Sequence, residues 1–222
     1  MAKLQQLMET TTKASAHASA GSHDGQLAHK TFVPHRDSVA VPSEKMTDSQ
    51  KKGATSSFRK FREALMAKKF ENDDNVPVEV DVVSGLFIGS YGAACNFQAL
   101  KGAGITHILC VSPSLSLKFL EDFTYLQLQV ADLSSVNISE YFDEALSFID
   151  SALSSGGKVL VHCFMGISRS STIVLAYLIA RQSLTLPDAL RELRRVRPQV
   201  KPNSGFYQEL VAFDKEIHNK KI

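Results

Sequence analysis

Cysteine is scarce in this 222-residue chain, which has only Cys95, Cys110 and Cys163. The odd number and wide spacing exclude a disulfide framework and a cysteine-based zinc site. Unpaired thiols suit the reducing interior of a cell, so cytoplasm or nucleus is the expected location. Charge of one sign is also lacking. Lys and Arg number 25 against 23 Asp and Glu, a net charge of +2, without the basic excess of a nucleic-acid binder, and no nucleic-acid partner is expected. No apolar run approaches the ~20 residues that cross a bilayer, so no transmembrane segment is expected. The N-terminus lacks the apolar core of a secretory signal. The seven histidines show no metal-ligand spacing, and no metal or other cofactor is expected. What is present, 44% apolar and 22% charged residues, describes a globular protein with room for one domain and a tail.

The tail is residues 1–57, rich in Ser, Thr, Ala, Gly and His without an apolar period, and is expected to be disordered. An organelle transit peptide is the weaker alternative, because arginine is sparse and Glu9, Asp24, Asp37, Glu44 and Asp48 are acidic. Residues 58–75 follow as a helix and linker. Phe58, Phe61, Leu65, Met66 and Phe70 share one helical face among Arg59, Lys60, Arg62, Lys68 and Lys69. Such a basic amphipathic helix suits calmodulin or a membrane surface; the plainer alternative is packing against the next domain.

Residues 76–219 read as that domain. Val78–Val83 alternates as an edge strand, Leu86–Ile88 is a second strand, and Tyr91–Lys101 is helical. Ile105–Val111 and Tyr125–Val130 are strands and Ile138–Leu153 is a helix stopped by Gly156-Gly157. Lys158–His162 is a short apolar strand. Helices follow over Ser170–Arg181, apolar nearly all round and therefore buried, over Thr185–Arg195 and over Asn203–Ile217. Strands alternating with helices predict an α/β fold, a mostly parallel sheet of about five strands flanked by helices.

One segment carries chemistry. His162-Cys163-Phe164-Met165-Gly166-Ile167-Ser168-Arg169-Ser170 joins the apolar strand to the buried helix. Ligands of open α/β sheets bind outside the carboxyl ends of strands. A five-residue loop there can turn its N–H groups inward as a nest for an anion, reinforced by the helix dipole. Gly166 allows a left-handed turn, and Arg169 offers a planar fork to two phosphate oxygens. The same field is expected to keep Cys163 ionised near neutral pH, a nucleophile that forms a phosphocysteine. Ser170 is placed to hydrogen-bond the sulfur and help it leave. His162 is expected to tune the loop through a backbone contact.

This segment resembles the active-site signature of the protein tyrosine phosphatase superfamily, His-Cys-x5-Arg-Ser. The chain looks most similar to the small dual-specificity protein phosphatases, plant type. Val83–Ser90, Tyr141-Phe142, Ala176–Leu178 and Pro202–Phe206 are also similar to that family. The resemblance implies hydrolysis of phosphotyrosine and phosphoserine/phosphothreonine in proteins, with MAP kinases among the expected substrates. It implies an aspartic acid as general acid on a separate loop, for which Asp132 is the match; Asp122, Asp143 and Asp150 are rivals on chemistry alone. Asn203 resembles the family's asparagine that braces the phosphate loop. The stretch between Val80 and Cys163 is short, without the extra segment that deepens the pocket of tyrosine-specific relatives.

Other readings stay beside this one. The chain could be a catalytically weak phosphoprotein-binding scaffold, which hydrolysis of an aryl phosphate would separate. A rhodanese-like sulfurtransferase also uses a loop cysteine, but its loop usually lacks the Arg-Ser ending. Cys110 reads as core, and Cys95 as a candidate resolving thiol. Arg191, Arg194, Arg195 and Arg197 read mainly as a solvated basic edge.

Overall fold

The structure is a computed structural model that describes residues 74–219. The expected tail, and almost all of the 58–75 segment including its basic helix, lie outside the described residues.

Five strands form one sheet in the order β1-β2-β5-β3-β4. They are β1 (Val78–Glu79), β2 (Leu86–Gly89), β3 (His107–Val111), β4 (Thr124–Leu128) and β5 (Val159–His162). β1 runs antiparallel to β2 and the other pairs are parallel. The central strand β5 is buried throughout, as a strand covered on both faces must be. Its side chains alternate, Val159 and Val161 entering one core and Leu160 the other. Leu86 and Ile88 of β2 follow the first core and Phe87 the second.

The helices are α1 (Tyr91–Cys95), α2 (Phe97–Ala103), α3 (Phe142–Ser154), α4 (Arg169–Gln182), α5 (Leu186–Val196) and α6 (Ser204–Asn219), with a 3₁₀ turn at Ser139–Tyr141. α3 to α6 contribute to the larger core; α1 and α2 contribute Ala94 and Leu100 to the smaller one. Every residue of α4 from Ser170 to Ile179 is buried. This helix packs on β5, α3, α5 and α6, so its N-terminus is held at the carboxyl end of the central strand. No helix among the described residues is long and apolar enough to cross a membrane.

Two elements differ from the sequence reading. The edge strand stops at Glu79 because the chain turns back on itself, with Val83 N–H donating to Val80 O at 2.8 Å and Leu86 N–H to Val83 O at 3.1 Å. Val80 and Val83 are both buried, a three-residue spacing that the turn satisfies and a strand would not. The single helix expected over Tyr91–Lys101 is two. Asn96 ends α1 and caps α2, its Oδ1 accepting from Ala99 N–H at 3.1 Å. Asparagine is a strong N-cap former, and here it overrides a continuous apolar period.

Candidate active site

The Cys163–Arg169 segment folds as a loop between β5 and α4 whose carbonyl groups all point away from its centre. Phe164 O accepts from Tyr91 N–H at 3.0 Å and Ile167 O from Lys201 N–H at 2.9 Å. Met165 O and Gly166 O accept from Arg197 Nη2 and Nε, at 3.0 and 2.7 Å. Ser168 O accepts from the Thr172 and Ser171 hydroxyls, each at 2.8 Å. None of these peptide bonds is cis. In a planar trans peptide the N–H lies opposite the carbonyl, so the amides of Met165, Gly166, Ile167, Ser168 and Arg169 face the concave side. Gly166 N–H accordingly points at Cys163 Sγ, at 3.3 Å.

Gly166 has φ +66°, the left-handed region that glycine enters at little cost. A Cβ there would meet Gly89 O at 2.5 Å and strike the Arg197 guanidinium. Conformation and space both require glycine.

The N-cap of α4, Ser168, makes no side-chain capping bond. Its hydroxyl instead donates to Asp132 Oδ1 at 2.7 Å and accepts from Asn203 N–H at 3.1 Å. The first turn of a buried helix thus keeps N–H groups and positive dipole for an anion. Arg169 opens that turn. Its side chain is 11% exposed, and its Nε lies 3.7 Å from Asp132 Oδ2, beyond hydrogen-bond reach. Nη1 donates weakly to Val130 O at 3.4 Å. Arg169 Nε–H is buried with no hydrogen-bond acceptor, a group whose partner would be an incoming oxyanion.

Cys163 is buried at 1% exposure, and Ser170 Oγ donates to its sulfur at 3.3 Å. Asp132 sits on the loop after β4. Oδ1 accepts from both Ser168 and Asn203, the latter through Nδ2 at 2.9 Å, while Oδ2 is turned towards Arg169. Of the rival carboxylates, Asp122 pairs with Lys101 and Asp150 with Arg181, while Asp143 is exposed on α3. Asn203 ties the Asp132 loop to the Cys163–Arg169 loop and caps α6 by accepting from Phe206 N–H at 3.0 Å. Gly205 lets Ser134 lie directly against that helix start, where any Cβ would collide with Ser134 O.

His162 is 2% exposed, and burial pushes its imidazole down to about 4. Nδ1 lies 3.2 Å from Cys163 O. A carbonyl only accepts, so the neutral ring carries its proton on Nδ1. In the unfolded chain the group titrates near ~6.5. As pH falls from ~6.5 towards ~4, the unfolded chain binds a proton that the folded one refuses, so stability present above that window drains away within it, by roughly 3 kcal/mol. His162→Asn is expected to flatten this acid limb, which urea midpoints measured across the window would reveal. Burial also pushes the Cys110 thiol up to about 12, leaving it protonated in the core at neutral pH.

Three participants were not expected. Arg197, grouped with a solvated basic edge, is buried at 2% exposure, whereas the side chains of Arg191 and Arg195 are 65% and 66% exposed. The difference is position: Arg197 follows the last turn of α5 and turns under the loop. Its partner Asp74, at 2.7 Å, precedes the expected domain and carried no local signal. Ser171 reads as one more helical residue, yet its one hydroxyl proton is shared between Ile167 O at 2.6 Å and Ser168 O at 2.8 Å.

Residues 86–216 match the family "Dual specificity phosphatase, catalytic domain". The chain belongs to this family. Among its relatives are two from Arabidopsis thaliana. Dual specificity protein phosphatase 1 is 45% identical over 145 residues, 65% of this chain and 72% of the relative. Dual specificity protein phosphatase 1B is 46% identical over 137 residues, 62% and 82% respectively. Among solved structures, that of DUSP15 is 36% identical with a TM-score of 0.60, covering 66% of this chain and 94% of the other. This dual specificity phosphatase hydrolyses phosphotyrosine and phosphoserine/phosphothreonine in proteins through a phosphocysteine intermediate, the chemistry for which Cys163 is placed.

Proposed function

We propose that Cys163 Sγ is the nucleophile, Arg169 with the amides of Met165 to Arg169 the oxyanion holder, Asp132 the general acid and base, and Ser170 the aid to the leaving sulfur. The observation that carries this reading is the ring of inward amides closing on one sulfur, with the Arg169 Nε–H unsatisfied beside it. In the first step an S–P bond forms as the bond from phosphorus to the substrate oxygen breaks, and Asp132 gives its proton to that oxygen. In the second, Asp132 takes a proton from water as the water oxygen bonds phosphorus. The S–P bond breaks in the same displacement, with the Ser170 hydroxyl donating to the departing sulfur. Transition-state charge spread over the equatorial oxygens meets Arg169 and donors that need no reorganisation. His162 and Asn203 act through the loop rather than on substrate.

Asp132→Asn tests the acid. The rate is expected to fall by about 10²- to 10⁴-fold on phosphoprotein, and less on aryl phosphates whose leaving group needs no proton. The alkaline limb of the kcat profile should disappear with the ionisation that causes it. An unchanged pH–rate curve would move the role to another carboxylate.

The protein substrates we infer are MAP kinases, by family analogy. Exposed Met165 on the loop and Leu133 beside Asp132 supply apolar surface suited to a protein segment. Release of phosphate from a doubly phosphorylated MAP kinase, compared with an unrelated phosphoprotein, decides this. Calmodulin binding through 58–70 and residence in cytoplasm or nucleus belong to the same proposal, the first resting on the sequence pattern of that segment and the second on its unpaired thiols.

A further inference from the structure

Glycine is the residue of the phosphate loop least able to hold its own conformation, because both flanking peptide planes can rotate at little steric cost. Arg197 grips both of those planes. Nη2 donates to Met165 O, which fixes the Gly166 N–H that points at the sulfur, and Nε donates to Gly166 O, which fixes the Ile167 N–H. The guanidinium is buried, and its charge is met by Asp74, with Nη1 to Oδ1 at 3.0 Å and Nη2 to Oδ2 at 2.7 Å. Asp74 is itself fastened to the domain: its carbonyl accepts from Ser90 Oγ at 2.6 Å, and the next carbonyl, of Asn75, accepts from Asn96 Nδ2 at 3.0 Å. These contacts run from the segment entering the domain, through one ion pair, to the donors around Cys163.

We propose that Asp74 and Arg197 are positioning residues of the phosphatase reaction, a clamp that sets the two peptide planes around Gly166 and thereby the oxyanion geometry. The proposal rests on the loop being the phosphate site. A fork-to-fork pair gives the clamp its direction. Losing Asp74 leaves a buried cation uncompensated; the guanidinium then turns to water and releases Met165 O and Gly166 O. Rotation of either plane points a carbonyl dipole where phosphate oxygens belong. Asp74 lies outside the matched family region of 86–216, so the clamp draws on chain beyond that match.

The test uses the full chain, with steady-state turnover of an aryl phosphate and calorimetric binding of orthovanadate as separate readouts. Asp74→Asn is expected to lower kcat/KM about 10- to 100-fold and to weaken vanadate binding in the same proportion, and Asp74→Glu to restore part of both. The double variant Asp74→Leu/Arg197→Met separates positioning from stability. It removes the buried charges together, so the melting temperature should recover relative to Asp74→Asn, while turnover and vanadate affinity stay low. Turnover and affinity returning to wild-type values along with stability in the double variant would overturn the proposal. So would a folded Asp74→Asn variant with wild-type turnover and affinity. A wild-type chain that neither turns over substrate nor binds vanadate would instead refute the catalytic reading itself.

Discussion

Replacing Cys163 with serine is expected to abolish turnover, by about 10⁴- to 10⁶-fold, while phosphoprotein binding persists. The substitution changes one atom at the bottom of the site. A serine hydroxyl is far harder to ionise than a thiol, its oxygen is a poorer nucleophile towards phosphorus, and it would be a poor leaving group in the second step. The binding machinery stays in place. The loop carbonyls are fastened by Tyr91, Arg197, Lys201 and the first turn of α4, none of which depends on the sulfur. Ser170 can donate to a hydroxyl as it does to Sγ. The variant should therefore retain phosphorylated substrate without releasing phosphate, as a pull-down and a phosphate-release assay on the same preparation would record. Turnover near the wild-type rate would eliminate cysteine catalysis.

Arg169→Lys carries the second-largest expected effect, a loss of about 10³-fold in kcat/KM. The charge is kept, so simple attraction of phosphate is nearly preserved. Lost are the planar fork and the buried Nε–H, which has no other acceptor. An ammonium is a point charge that holds one oxygen well, and its stronger hydration raises the cost of burying it at the mouth of a closed helix. The loss should fall mainly on kcat, because the fork matches two equatorial oxygens best in the trigonal-bipyramidal geometry of the transition state. Orthovanadate affinity should drop with kcat/KM, whereas affinity for the ground-state phosphopeptide changes little. A lysine variant within a few-fold of wild type would mean that Arg169 contributes only bulk charge.

Much of this site was legible because its chemistry is local. A nucleophile, a glycine, an arginine and a serine fall within eight residues, between a strand and a helix whose apolar character fixes their ends. The parallel sheet was legible for a similar reason, as the buried strands carry unbroken apolar runs. What escaped is non-local. Arg197 lies 31 residues from the Gly166 carbonyl it holds, and Asp74 is 123 residues from Arg197. A buried arginine and a solvated one look alike in sequence until the partner is known. Ser168 is expected only as a residue of the anion loop, and the engagement of its hydroxyl with Asp132 and Asn203 cannot be seen from spacing. The break at Asn96 is hidden within the helix expected over Tyr91–Lys101, because an apolar period that continues through a cap gives no sign of it.

The loop around Cys163 is tied down from both ends of the domain, by Tyr91 before it and by Arg197, Lys201 and Asn203 after it. A ribosome making this chain produces Tyr91 and the nucleophile before Arg197, Lys201 and Asn203. Until the stretch carrying Asn203 has left the exit tunnel, the nascent polypeptide holds a cysteine without a formed cradle. The cradle is therefore completed only after its nucleophile has been made, when the residues that follow Cys163 in the chain dock against the loop.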